Sequence, residues 1–150
     1  MKRFLILLLL MFSFSISYGD NEKRISKDDL PSTSIKFIER YYNNLTIDYC
    51  LSEKVFSRIV EYDVYLSDGT KIEFDKHGCL ISIISPNRCG VNFCILPTKI
   101  RSYLIINYYD CHIYGYSIEH KRKSYEEHTI YLSNGHKLVF NSKGSLIEID

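Results

Sequence analysis

The chain has 150 residues and a formal net charge of +1, and hydrophobic residues make up 45% of it. The length suits one compact domain, and the composition is that of an ordinary globular protein. Because 19 basic residues are balanced by 18 acidic ones, the chain has no basic excess for gripping a phosphate backbone, and nucleic acid is excluded as a partner.

The N-terminus has the parts of a secretory signal peptide. Lys2 and Arg3 are positive, and the apolar run 4–14 behind them is shorter than the roughly 20 residues of a membrane span. Small residues in Ser17-Tyr18-Gly19 then fit cleavage before Asp20. We therefore predict a periplasmic or secreted protein with no stable membrane insertion after cleavage; a retained anchor is the alternative.

The most informative feature is an internal repeat with a constant offset of 66 residues. Residues 65–74 align without gaps on residues 131–140, and Leu30-Pro31 recurs as Leu96-Pro97. A gapless repeat of this length indicates two copies of one supersecondary unit. The predicted organisation is a signal peptide over 1–19, an N-terminal linker over 20–29, a first unit over 30–84, a connector over 85–95 and a second unit over 96–150.

Each unit is expected to begin with a helix. Pro31 and Pro97 suit a first helical turn, where the missing N–H costs nothing. Apolar residues then recur at helical spacing, which gives each helix one apolar stripe. These residues are Ile35, Ile38 and Tyr42 in the first unit and Ile100, Leu104 and Tyr108 in the second.

Four strands are expected after each helix. One of them alternates apolar and polar residues, which places a single apolar face against the core. Its apolar residues are Val60, Tyr62, Val64 and Leu66. Asp68-Gly69 and Asn134-Gly135 are typical of two-residue hairpin turns, in which both central residues need positive φ. The strands after these turns face inward through Ile72, Phe74, Leu138 and Phe140.

This order of elements predicts an α+β fold. One unit of this size would bury too little core to be stable by itself. We therefore expect the two tandem α-β-β-β-β units to form a continuous antiparallel sheet of about eight strands. Both helices would pack on one face of that sheet, and the other face would be open to solvent.

The open face is the candidate partner-binding surface. Its side chains alternate with the apolar ones and point away from the helices. They are Glu61, Asp63, Tyr65, Lys71 and Glu73 in the first unit, and Glu127, Tyr131 and Lys137 in the second. Leu80 and Leu146 are expected to join them, with Ile81, Ile83, Ile147 and Ile149 in the core. Tyrosine gives rigid contact area with a polar tip, which favours protein recognition; alternatively, Tyr is present only as a good strand former.

Five cysteines follow the signal peptide, and an odd number leaves at least one thiol unpaired. Cys89 and Cys94 bracket a short loop and are the expected local disulfide in an oxidising compartment. Cys50, Cys79 and Cys111 are interpreted as small buried hydrophobic residues, with a second bridge as the alternative. The histidines are not spaced with the cysteines as a zinc site requires, so no metal or cofactor is predicted.

The order Leu-Pro, Asp-Gly and Phe-Asp-x-x-Gly resembles the PepSY-like, beta-lactamase-inhibitor-like family of bacterial exported proteins. Both units carry the pattern, and the second departs from it at Asn134 and Asn141. The resemblance implies a tandem unit like that of beta-lactamase inhibitor proteins, whose concave sheet grips a partner enzyme. It also implies a periplasmic or secreted location and a role in restraining peptidases, and it brings no catalytic residues.

An enzyme is not predicted. Cys111 and His112 are adjacent, but neighbours on a strand point to opposite faces, so they do not form a nucleophile–base pair. The leading hypothesis is an exported, non-catalytic protein that uses its open face for protein–protein recognition, inhibitor-like toward an envelope enzyme. The alternative is an envelope structural or stress-related protein that binds a small ligand or cell-wall fragment.

Overall fold

The computed structural model describes residues 22–86, 90–121 and 125–150. Nine strands and two α-helices lie within these ranges. In chain order they are β1 (Glu22–Ile25), α1 (Ser32–Tyr41), β2 (Ile47–Val55), β3 (Arg58–Leu66), β4 (Lys71–Asp75), β5 (Leu80–Ile84), α2 (Thr98–Asn107), β6 (Ile113–Lys121), β7 (Tyr125–Leu132), β8 (Lys137–Asn141) and β9 (Leu146–Ile149). Short 3-10 helices at Lys27–Asp29 and Phe93–Ile95 precede α1 and α2.

The strands form one open antiparallel sheet. Each strand pairs with its neighbours in the sequence, so the order runs from β1 at one edge to β9 at the other. The two units join where β5 pairs with β6, with Ile83 opposite Tyr116 and Ile84 opposite Gly115. The α+β fold with one sheet shared by both units is therefore confirmed.

The strand β1 lies in residues 20–29, which the sequence predicted as a linker. It pairs with the edge of β2 in a register that runs from Glu22 opposite Glu53 to Ile25 opposite Cys50. Three of its four residues are charged, so it has no alternating apolar pattern. The sheet consequently has nine strands rather than the expected eight.

Both helices pack on the same face of the sheet. Phe37 of α1 meets Phe74 of β4 edge-on, with ring centroids 5.6 Å apart. Tyr103 of α2 meets Phe140 of β8 in the same way, at 5.4 Å. The predicted inward residues are fully buried beneath them: Ile72, Phe74, Leu138 and Phe140. The core is therefore one apolar layer that repeats across both units.

The Asp-Gly and Asn-Gly turns differ from the prediction. The Gly69 N–H donates to the Leu66 carbonyl, and the Leu66 N–H donates to the Thr70 carbonyl, so the loop has three residues. Only its glycine has a positive φ, +87° at Gly69 and +91° at Gly135. Such a loop is a tight turn followed by a left-handed glycine, rather than a two-residue turn with two positive φ angles.

A two-residue turn with both φ angles positive does occur, at Phe56 and Ser57 between β2 and β3. Their φ angles are +49° and +66°, a region that favours Gly and Asn. Phe56 does not signal a turn by its type, and Ser57 signals one only weakly. The pairing of β2 with β3 therefore sets this turn.

Irregular strand pairing explains the remaining differences. The register between β2 and β3 shifts beside Val60, which is 37% exposed rather than in the core. Shifts in β5 and β9 place Leu80 and Leu146 against the core, so their assignment to the open face is wrong. On the edge strand β9, Ile147 and Ile149 are each 48% exposed, which corrects their assignment to the core, whereas Ile83 is fully buried as predicted.

Candidate functional site

The open face, defined by the strand side chains directed away from α1 and α2, holds all eight residues expected there. Strand pairing places Asp63 opposite Glu73 and Tyr65 opposite Lys71. Glu61 lies two residues before Asp63 on the same face of β3. In the second unit, Tyr131 is opposite Lys137, and Glu127 lies on the same face of β7. The two groups are separated by β5 and β6, so Tyr65 and Tyr131 stand four strand spacings apart, about 19 Å.

In the first unit, three carboxylates come together as the acidic cluster, defined as Glu61, Asp63 and Glu73. One oxygen from each lies within 4.8 Å of the others. Lys71 Nζ donates to Asp63 Oδ2 at 2.9 Å and to Glu73 Oε1 at 2.6 Å. The Ser82 hydroxyl donates to the other oxygen of Glu73. The cluster is thus a partly buried network with one lysine among three acids.

Burial and like charge shape the proton affinities of this cluster. Burial, together with the nearby charges of Glu73, Asp63 and Glu53, raises the pKa of Glu61 to about 7. Burial also raises the pKa of Asp63, although Lys71 opposes the effect. For Glu73, hydrogen bonds from Lys71 and Ser82 outweigh burial and lower the pKa. Glu61 is therefore the member of the cluster whose charged form is least favoured.

A pair of stacked tyrosines lies beside the acidic cluster. The rings of Tyr49 and Tyr65 are 4.3 Å apart and within 14° of parallel. The Arg24 guanidinium lies 5.3 Å from the Tyr49 ring, and Lys71 Nζ lies 5.7 Å from the Tyr65 ring. Cations at these distances from an aromatic ring are attracted to its face. The pair is thus held at both ends and presents a rigid aromatic surface.

The second unit carries a different arrangement. Tyr131 packs over Gly115, where an added Cβ would come within 2.9 Å of the ring. Tyr114 lies beside it, with ring centroids 6.0 Å apart. Lys137 Nζ donates to Asp150 Oδ2 at 2.8 Å, an exposed ion pair at the sheet edge. This half therefore offers a tyrosine pair beside Lys137 and its two acidic partners, Glu148 and Asp150, in place of the acidic cluster.

A shallow hollow lies on the open face where the two units join. Its volume is about 330 Å³, and its lining includes Ile84 of β5 together with Tyr114, Gly115 and Tyr131. Ile84 is 51% exposed, and Tyr114 is 42% exposed. The hollow therefore adds apolar surface to the open face beside Tyr114 and Tyr131.

Sequence reasoning missed four residues of this surface: Arg24, Tyr49, Ile84 and Tyr114. Arg24 lies on the unexpected strand β1, and Tyr114 lies at an irregularity of register between β6 and β7. Ile84 belongs to an apolar run whose facing is decided by the irregular pairing of β5. Tyr49 lies opposite Tyr65, but a register irregularity between Ile47 and Tyr49 decides its face, so alternation along β2 did not reveal it.

The predicted disulfide between Cys89 and Cys94 stays a prediction. Cys94 is exposed, and its expected partner Cys89 lies outside the described residues. Cys50 is buried, as expected of a small hydrophobic residue. Cys79 is exposed, so its interpretation as a buried hydrophobic residue is wrong, whereas Cys111 is half-buried and packs against the core.

The sequence model of a family described as "Putative beta-lactamase-inhibitor-like, PepSY-like" matches residues 60–148. The chain belongs to this PepSY-like family. The match starts within β3 of the first unit and ends at residue 148, two residues before the end of the second unit. Among curated proteins no match was found.

Solved structures similar to this PepSY-like protein come from Bacteroides. One is described as a putative calcium-regulated periplasmic protein from Bacteroides thetaiotaomicron, with a TM-score of 0.73, 29% identity and coverage of 86% of this chain and 96% of that chain. A putative periplasmic protein from Bacteroides vulgatus has the same TM-score, 27% identity and coverage of 88% and 98%. Another protein from that organism, described as of unknown function, is 25% identical. Neither the family nor these proteins is described as an enzyme.

Both α-helices of the described residues lack the length and apolar character that a membrane crossing needs.

Proposed function

We propose that this PepSY-like protein is an exported, non-catalytic binding protein that recognises another protein through its open face, as an inhibitor of an envelope enzyme does. One observation carries the proposal. Both helices pack on one side of the sheet, and the other side presents two tyrosine pairs, the second of which lines an apolar hollow. Exposed apolar and aromatic surface rimmed by charge is typical of protein interfaces.

The chemistry of the open face supports a protein partner. Tyrosines on rigid strands lose little conformational freedom on binding and offer both ring surface and a hydroxyl. Tyr49 and Tyr65 are already fixed by stacking, so their ordering costs little when a partner arrives. The hollow beside Ile84 suits an apolar anchor residue of the partner.

Two further observations support export and binding. The N-terminal 19 residues have the pattern of a signal peptide, and the similar Bacteroides proteins are described as periplasmic. The family description links the fold to inhibitors, which act by binding. An exported inhibitor-like protein is consistent with all of these features.

The test is capture of an envelope protein by the purified protein, followed by affinity measurement with that partner after purification. Tyr65→Ala and Tyr131→Ala, each and together, are compared with Tyr109→Ala, because Tyr109 is 84% exposed and follows α2 outside the open face. The double variant is expected to lose affinity by about tenfold or more, as for interface hot spots, while Tyr109→Ala binds normally.

Equal binding by the double variant and the Tyr109→Ala control would refute the open face as the contact surface. Because the relative from Bacteroides thetaiotaomicron is described as calcium-regulated, the assay is run both with calcium and with a chelator. Inhibition is then tested on the purified partner if that partner is an enzyme.

One observation favours the second candidate function, binding of a small ligand or cell-wall fragment. A groove of about 840 Å³ runs beside α1, lined by Leu30, Ile38, Tyr42 and Leu45. Its volume is within the range of small-molecule sites. Cell-wall fragments are expected to raise the melting temperature of the native protein and not of Leu45→Trp, which fills the groove. No shift in either protein would remove this candidate.

A further inference from the structure

We propose that the acidic cluster on the open face is a binding site for one Ca²⁺ ion. Glu61, Asp63 and Glu73 supply the protein ligands, and water completes the coordination shell. The proposal goes beyond the proposed function, because the ion binds to the isolated protein and needs no protein partner.

The positions of the carboxylates are the first observation. One oxygen from each of the three side chains lies within 4.8 Å of the others, the span across which a single ion contacts all three. Two of the residues lie on β3 and one on β4, and direct pairing of Asp63 with Glu73 fixes their relative positions. The ligands therefore stand on rigid neighbouring strands and not on a loop.

The second observation is an oxygen without a hydrogen bond. Asp63 is only 9% exposed, and within the described residues no group donates to its Oδ1. Its other oxygen, Oδ2, is held by Lys71. A buried carboxylate oxygen with no donor is costly, and a bound cation removes that cost. The unsatisfied oxygen belongs to the residue between Glu61 and Glu73 in this network.

The net negative charge of the acidic cluster favours a divalent cation. Three carboxylates and the one ammonium of Lys71 sum to a formal charge of −2 when all are ionised. Strand pairing adds two further acids, since Glu61 stands opposite Glu53 on one side and Asp75 on the other. The surplus of negative charge is therefore larger than one lysine neutralises.

The donor set selects a hard cation, and calcium fits it best. Carboxylate oxygens are the preferred ligands of Ca²⁺, which accepts irregular geometry and six to eight ligands. Mg²⁺ demands near-ideal octahedral geometry and gives up its water reluctantly. Three protein ligands on a half-open surface predict a weak site, with a dissociation constant of about 10⁻⁴–10⁻³ M, the range of extracellular modules.

The second unit provides a matched comparison inside the same molecule. Glu127 holds the position equivalent to Glu61, but Thr129 and Val139 replace Asp63 and Glu73. The backbone arrangement is the same, since Thr129 pairs with Val139 as Asp63 pairs with Glu73. The site is therefore expected in the first unit alone.

The experiment is calorimetric titration of the purified protein with CaCl₂, with MgCl₂ as the comparison ion. One ion per molecule is expected, with weaker binding of Mg²⁺. Glu61→Gln and Asp63→Asn are expected to weaken calcium binding by about tenfold or more, since the number of ligand charges sets the affinity. Glu127→Gln is the control and is expected to bind as the native protein does.

Two further measurements distinguish a loss of calcium binding from a loss of folding. Amide resonances of the native protein are expected to shift on β3 and β4 and not on β7 and β8 as calcium is added. Lys71→Met frees two carboxylate oxygens and is expected to bind calcium several-fold more tightly.

Three results would overturn the proposal. They are no calcium binding by the native protein, equal binding by Glu61→Gln and the native protein, or binding by Lys71→Met alone. The last result would mean that the lysine already fills the cluster. All three leave recognition of a protein partner by Tyr65 and Tyr131 intact, because that is measured separately.

Discussion

The two halves of the sheet are alike on the covered face and unlike on the open face. Beneath the helices, Phe74 of the first unit corresponds to Phe140 of the second, and both are fully buried. On the open face, Asp63 corresponds to Thr129 and Glu73 to Val139. Close packing limits substitutions in the apolar core, whereas positions on the open face differ in chemistry even where they are buried, as at Asp63 and Val139. The divergence on the open face therefore gives each half its own chemistry.

The largest expected effects test whether the covered face is equivalent in the two halves. Phe74→Ala and Phe140→Ala each remove a buried ring that meets an aromatic residue of the overlying helix. Each substitution is expected to lower the free energy of unfolding by about 3–5 kcal/mol. Chemical denaturation measures both, and a difference of more than about 2 kcal/mol between them would refute the equivalence.

The next comparison is between the lysines of the open face. Lys71→Met leaves Asp63 and Glu73 without their shared cation and is expected to cost about 2 kcal/mol, less than a fully buried pair. Lys137→Met removes an exposed ion pair with Asp150, and its effect is expected to be too small to resolve. Denaturation in a chelator measures both, and similar losses would show that burial does not distinguish the two halves.

A smaller effect, a gain in stability on substitution, is expected at Glu61. Its pKa is raised from 4.5 to about 7, so the folded protein holds this proton more tightly than the unfolded chain does. Stability therefore falls as the pH rises from about 4.5 to 7, and the loss is complete above that range. Glu53, Asp63, Glu73 and Asp75 face Glu61 with like charge, and Lys71 opposes them.

Glu61→Gln is accordingly expected to raise the free energy of unfolding by about 1 kcal/mol near pH 8, after allowance for solvent screening, and by much less near pH 5. The measurement is urea denaturation at both pH values in a chelator. Glu127→Gln, at the equivalent position of the second unit, is measured alongside it as the matched comparison. A gain that is the same at both pH values would contradict the raised pKa of Glu61.

The smallest expected effect lies at the turn between β2 and β3. Phe56 and Ser57 both have positive φ, and Phe56 is 97% exposed, so its ring contributes no packing. Replacing the pair with Asn-Gly, which suits two positive φ angles, is expected to stabilise the protein by about 0.5–1 kcal/mol. Thermal unfolding measures the change. The same replacement at Ser67-Asp68 is expected to destabilise, because neither residue there has positive φ.

The sequence by itself determined the repeat and much that follows from it. The constant offset of 66 residues divided the chain into two units, and alternation identified the face of β3 and β4 that the helices cover. Neither signal depends on the tertiary structure. The repeat is visible in the residues themselves, and strand geometry places alternate residues on opposite faces whatever the rest of the fold does. The eight residues assigned to the open face follow from that rule.

Only the tertiary structure decided the edges, the irregularities and the contacts across strands. β1 becomes a strand because β2 offers it an unpaired edge, and Leu80 turns toward the core because the pairing of β5 shifts by one residue. The approach of Glu61, Asp63 and Glu73 depends on the register between β3 and β4. Register is set by the pairing of distant segments, and a shift of one residue would send each side chain to the other face.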